Sequence, residues 1–194
     1  MKHWRYYIRG RFLELFGFRQ EAIAAYMAAA RAAPNFMRPT NRVAYMLASQ
    51  ERFAEAEPYF EAVLRAEPDN AVAHFNFGYS LDKRGQYERA VHEFRKATQL
   101  NPKIDRAWYG LGLAHAQLGR HREAAEALEQ AATLQPMNHH AWYQFGMALH
   151  AIGNTERFEQ VVMHLLRFDP KATRRLIQDT GRSDLAHLVA HLVV

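Results

Sequence analysis

Cysteine is missing from this 194-residue chain, and its absence excludes a disulfide framework, a Cys-ligated zinc site and a thiol nucleophile. It agrees with a reducing compartment. Long apolar runs are missing too. No stretch approaches the roughly eighteen residues of a membrane span, and Arg5, Arg9 and Arg11 break up the first twenty positions, so no signal-peptide core forms there. The expectation is a soluble, cytoplasmic protein. Acidic residues are scarce in the first fifty positions, where Glu14 and Glu21 stand against eight Lys/Arg, a local balance of +6. The remaining residues are close to neutral, so the net charge of +5 belongs to the N-terminal quarter. That asymmetry is either a solvated face or a docking surface for something acidic. Hydrophobic residues make up 49% of the chain, enough for a substantial core and against wholesale disorder.

Proline is sparse, yet five of the seven prolines keep a fixed interval. Pro34, Pro68, Pro102, Pro136 and Pro170 are each 34 residues apart, and each follows an apolar, mostly Ala-rich segment. A residue with fixed φ and no N–H ends one helix there and turns the chain into the next. Counting 34-residue units from His3 gives 3–36, 37–70, 71–104, 105–138 and 139–172, with a C-terminal segment over 173–194. The eighth position of each unit holds Gly10, Ala44, Gly78, Gly112 and Gly146. The twentieth holds Ala22, Ala56, Ala90, Ala124 and Phe158, and the twenty-fourth Tyr26, Phe60, Phe94, Leu128 and Val162. Positions four, seven, eight and eleven share one face at helical spacing. Small residues at eight and twenty predict a close helix pair. Gly17, Gly85, Gly119 and Gly153 predict the turn between the helices, with Glu51 the exception. One such hairpin cannot bury its apolar face alone, so neighbours stack.

Trp108, Leu111, Gly112, Ala124, Leu128, Ala131 and Pro136 of the fourth unit spell out a pattern that resembles the tetratricopeptide repeat over about 170 of the 194 residues. The resemblance implies an all-α, right-handed α-solenoid of helix–turn–helix repeats forming a single domain over 1–194. Departures fall towards the ends. Arg9 stands where leucine is usual, Thr40 occupies the fourth position of the second unit, and Phe158 replaces the small twentieth residue of the last. The helices of that last unit are expected to pack farther apart or at another angle. From Thr173 onward, Leu185, Leu188, Val189 and Leu192 fall on one helical face with Ser183 as its N-cap, predicting a capping helix. Left exposed, the same face would support a homodimer.

Catalysis finds little support. Gly110 and Gly112 lie inside a predicted helix with no preceding strand and no following Lys-Ser/Thr, so they are no phosphate loop. His115 sits where other units place leucine and reads as a core residue. His187 and His191 are four apart but lack a third ligand. No nucleophile–base pair converges, and no metal or cofactor is expected. The chain is read as a non-enzyme.

Binding is better supported. The resemblance implies a concave surface lined by the first helix of each unit, gripping a partner polypeptide. Its fifth positions are Tyr7, Asn41, Phe75, Tyr109 and Tyr143, and its ninth are Arg11, Tyr45, Tyr79, Leu113 and Met147. This aromatic row with polar tips suits a peptide. Asn76 and Gln144 flank Gly110 at the sixth position and add polar lining. Some family members clamp the carboxylate of chaperone tails with Lys, Asn, Asn, Lys and Arg. The matching positions here hold Asn41, Tyr45, Asn76, Arg106 and Gly110, of which only Asn76 and Arg106 agree in kind. A chaperone-tail adaptor is therefore not expected, while Asn76 and Arg106 stand as hydrogen-bonding candidates. The leading reading is a protein-interaction scaffold or assembly factor. The alternative is a peripheral membrane module docking an anionic surface through Trp4, Arg5, Tyr6, Tyr7, Ile8, Arg9, Arg11 and Phe12. Nucleic acid shares only the charge argument and ranks lower.

Overall fold

The computed structural model describes residues 2–190, whose regular elements are all helical, with no strand among them. Ten helices form five antiparallel pairs: α1 (Lys2–Leu15) with α2 (Arg19–Ala32), α3 (Met37–Ser49) with α4 (Phe53–Ala66), α5 (Ala71–Lys83) with α6 (Tyr87–Leu100), α7 (Asp105–Gln117) with α8 (His121–Leu134), and α9 (His139–Ala151) with α10 (Thr155–Leu166). A further helix, α11 (Pro170–Asp179), and a 3₁₀ segment (Ser183–Val189) follow. The chain divides into two compact units, residues 1–100 and 101–194.

Helix boundaries follow the local chemistry. Asn70, Asn138 and Asn154 cap α5, α9 and α10 by accepting backbone N–H bonds through their side chains, and Asp169 does the same for α11 ahead of Pro170. Every turn inside a pair needs one residue in the left-handed region. Gly17, Gly85, Gly119 and Gly153 supply it with φ between 71° and 80°, and Glu51 adopts it at 59° despite its side chain. Gly181, at 67°, makes one more such turn after α11 that the 34-residue interval does not predict.

In the first unit the close approach within a hairpin is measurable. A Cβ on Gly10 would lie 2.7 Å from the Tyr26 ring, and one on Gly78 would lie 2.9 Å from the Phe94 ring. The eighth position is thus empty because the twenty-fourth fills it. Tyr26, Phe60 and Phe94 are fully or almost fully buried, and Phe60 stacks on Phe77 at 5.5 Å.

In the second unit Gly112 repeats the arrangement, with a Cβ there 2.5 Å from Leu128 Cγ. The last pair is filled differently. The Phe158 ring is fully buried at the twentieth position, and Gly146 meets Leu176 of α11 at 2.7 Å instead of a side chain at the twenty-fourth position. Leu176, Ile177 and Val189 join Phe145, Leu149, Phe158 and Leu165 in one core cluster, with Leu185 and Leu188 packed against it. The C-terminal segment departs from its sequence reading in form. Its helix begins at Pro170, and Ser183 opens a 3₁₀ turn preceded by Arg182, which makes no side-chain cap bond. Asp169 and Pro170 start a separate helix ahead of the Ser183 turn. Leu192 lies outside the described residues.

Candidate binding surface

The fourth position of the repeat anchors α5, α7 and α9 through His74, Trp108 and Trp142, whereas Tyr6 and Thr40 hold that position in α1 and α3. Trp108 Nε1 donates to the Pro102 carbonyl and Trp142 Nε1 to the Pro136 carbonyl, both at 2.9 Å. In the first unit His74 Nε2 meets the Pro68 carbonyl at the same distance. A ring N–H six residues after Pro68, Pro102 and Pro136 thus satisfies that proline's carbonyl. His74 adds a second bond, with Nδ1 2.6 Å from Glu93 Oε2, and both side chains are largely buried. A carbonyl only accepts, so the Pro68 contact makes Nε2 the donor. The recurring six-residue spacing from proline to an N–H-bearing ring was the available signal.

Within the first unit α3 and α5 touch each other. Tyr45 (47% exposed) and Tyr79 (43% exposed) stand out from α3 and α5, with Val72 exposed beside them. The Arg42 guanidinium lies 5.3 Å from the Tyr45 ring centre, and Lys83 Nζ the same distance from that of Tyr79. Phe53 packs edge-on against Tyr79. Asn41 is half-buried, and its buried Oδ1 accepts no hydrogen bond among the described residues. Asn76 is also half-buried. Phe75 leans towards Phe94 at 6.1 Å, inside its own hairpin. Tyr7 is likewise drawn inward, packing against Trp4, Tyr26 and Phe36.

Charge on this unit is not balanced. Glu14, the one carboxylate of α1, pairs with Arg42 and accepts the Tyr26 hydroxyl. Burial raises the Asp82 carboxyl pKa, with Lys83 acting against the shift. Arg11 and Arg38 are exposed and make no ion pair among the described residues. Burial pushes the Tyr26 hydroxyl up to about 12, with Arg11 opposing and Tyr7 reinforcing.

The second unit is furnished differently. Tyr109 is half-buried against the core, and that burial raises its hydroxyl pKa. Tyr143 donates its hydroxyl to Asp179 of α11, while the Arg175 guanidinium lies 5.3 Å from its ring centre. Burial, then the Asp179 hydrogen bond, raises the Tyr143 pKa. Gln144 and Met147 are half-buried and Arg106 is exposed. His115 is buried on α7. Among the described residues no three His, Asp or Glu side chains converge as metal ligands. His187 hydrogen-bonds the Asp184 carbonyl, and His191 lies outside the described residues. No described helix is long and apolar enough to cross a membrane.

Two family models, each described as tetratricopeptide repeat, match the chain, one over residues 9–71, 44–81 and 75–136 and the other over 115–177. The chain belongs to the tetratricopeptide repeat family. Solved structures agree on its all-α tetratricopeptide solenoid fold. The crystal structure of MamA is 20% identical with a TM-score of 0.78, covering 94% of this chain and 95% of its own. YrrB, described as a tetratricopeptide protein with an unusual peptide-binding site, is 21% identical with a TM-score of 0.79, covering 91% and 90%. PilF of Pseudomonas aeruginosa is 19% identical with a TM-score of 0.71, covering 97% and 92%. No curated protein sequence matches the chain. Within the tetratricopeptide frame, Tyr45, Val72, Asn76 and Tyr79 occupy first-helix positions left open by the hairpin core.

Proposed function

We propose that this protein is a non-catalytic scaffold, a single tetratricopeptide domain over 1–194 that holds a partner polypeptide on its first helices. One observation carries the reading: Tyr45 and Tyr79 keep nearly half their surface exposed at equivalent repeat positions, each ring held by a neighbouring cation. Rings restrained in this way contribute contact area with little loss of side-chain freedom on binding. Asn41 and Asn76, half-buried on α3 and α5, add side-chain amides beside these rings. Unpaired Arg11 and Arg38 favour a segment carrying Asp or Glu. The peptide-binding site named for YrrB supports the same use of the fold.

The first unit is the stronger grip. Tyr143 is engaged by Asp179 and Arg175, and Tyr109 rests on the core, so both offer a partner less than Tyr45 and Tyr79 do. Within the second unit, Arg106 and Gln144 are the polar candidates for partner contact. Affinity capture from native lysate, read by mass spectrometry, compares the wild type with a Tyr45→Ala/Tyr79→Ala variant of unchanged helicity. A polypeptide retained by the former and reduced about tenfold or more by the latter is the expected result. Equal retention by both would overturn the groove reading.

A further inference from the structure

The outer side of α1 and the turn after it carry chemistry that the peptide-holding surface does not use. α1 buries Gly10 and half-buries His3, Tyr7 and Glu14 against its own hairpin. Lys2, Arg5, Tyr6 and Arg9 line a recess of about 480 Å³ on the opposite side. None of these three cations is ion-paired among the described residues. The single acid of the helix, Glu14, is committed to Arg42 and Tyr26. The recess is therefore cationic without compensation.

Immediately beyond it, large apolar side chains stand in water. Phe12 (59% exposed) and Phe16 (60% exposed) pack ring to ring at 4.6 Å, and Leu15 and Phe18 project beside them at 80% and 53%. The sequence reading grouped Tyr7 with the interfacial side chains. The structure turns Tyr7 inward, and Leu15, Phe16 and Phe18 form the apolar end instead. Cations and exposed apolar side chains interleave along α1, with Trp4 and Ile8 exposed among Lys2, Arg5 and Arg9, and Arg11 exposed beside Phe12.

We propose that this face docks on an anionic lipid bilayer, with headgroup phosphates in the Lys2–Arg5–Arg9 recess and Phe12, Leu15, Phe16 and Phe18 set into the interface. Charge complementarity selects the occupant: three uncompensated cations meet a negatively charged surface. Shape supports it. The rings project from a helix end and its turn, and a lipid interface accepts projecting rings without a matching cavity, which a folded partner would need. The charge and the apolar set act together, since interfacial binding scales with buried apolar area plus attraction to anionic lipid.

Co-sedimentation of the full chain with vesicles tests this. Vesicles of phosphatidylcholine with about one-third phosphatidylserine are compared with phosphatidylcholine alone, at low and high salt. The wild type should sediment with the anionic vesicles and release as salt rises. An Arg5→Ala/Arg9→Ala variant should lose about 30-fold in partitioning, and Arg5→Lys/Arg9→Lys should restore most of it. Phe12→Ser/Phe16→Ser should weaken binding at every salt concentration, and Tyr45→Ala/Tyr79→Ala should leave it unchanged. Circular dichroism establishes that each variant keeps its helicity. No wild-type sedimentation with anionic vesicles at low salt overturns the proposal. So does unchanged binding by the Arg5/Arg9 alanine variant. Three further outcomes, each without vesicle binding, would assign the face elsewhere: self-association abolished by Phe12→Ser/Phe16→Ser to a second copy, salt-sensitive binding of polyglutamate to an acidic protein, and salt-sensitive binding of a single-stranded oligonucleotide to nucleic acid.

Discussion

Single residues decide where this repeat bends and where it closes. Glu51 is a side-chain-bearing residue at φ 59°, while the four equivalent turns use glycine. The left-handed region disfavours a Cβ by roughly 1 kcal/mol. Glu51→Gly should therefore raise stability by about 1 kcal/mol in urea denaturation, less whatever the unfolded chain gains in freedom. Tyr26 makes a different demand. Its side chain is fully buried, its hydroxyl donates to Glu14 at 2.7 Å, and its pKa is raised to about 12. A group whose folded pKa lies above its unfolded value contributes stability that is complete below the unfolded pKa near 10. That contribution disappears as pH rises through the folded value. Unfolding free energy should fall between about pH 10 and 12, by up to about 3 kcal/mol from this residue. In Tyr26→Phe that alkaline loss should be absent, as followed by tryptophan fluorescence in urea at stepped pH.

At the scale of the element, one helix position sets the next. The buried Phe158 ring occupies a position that is alanine in the other four hairpins, and Gly146 meets α11 instead of a residue at the twenty-fourth position of its own partner. Leu176 is the side chain that fills this space, fully buried, and its loss leaves a cavity lined by Gly146 and Val161. Leu176→Ala should destabilise the protein by about 2–5 kcal/mol, measured by thermal melting. An exposed neighbour such as Arg175→Ala should cost under about 1 kcal/mol by comparison, since its contacts to Tyr143 and Asp179 are at the surface. The Trp108, Trp142 and His74 bonds to proline carbonyls belong to the same scale: each ties the first turn of a helix to the loop that leads into it.

Across the whole molecule, contacts run mainly between neighbouring elements, as in repeat proteins generally, so stability is expected to be distributed and not all-or-none. Gly112→Ala places a Cβ 2.5 Å from Leu128 Cγ and 3.2 Å from the Ala124 carbonyl, a clash worth about 1–3 kcal/mol. Hydrogen exchange should show its loss of protection concentrated in the 101–194 unit, with amides of the 1–100 unit less affected. Uniform loss across both units would contradict the repeat picture. The sequence alone determined the 34-residue period, the helical hairpins, the glycine turns with their one exception and the basic N-terminal quarter. These are local: proline position, left-handed φ and side-chain size are written one residue at a time. Only the tertiary structure decided which rings stay open. Tyr7, Tyr45, Tyr79, Tyr109 and Tyr143 occupy two repeat positions, yet Tyr7 and Tyr109 lean on cores, Tyr143 is taken by Asp179, and Tyr45 and Tyr79 remain exposed. That sorting depends on residues distant in sequence, which no period records, because exposure is a property of the neighbours that packing supplies.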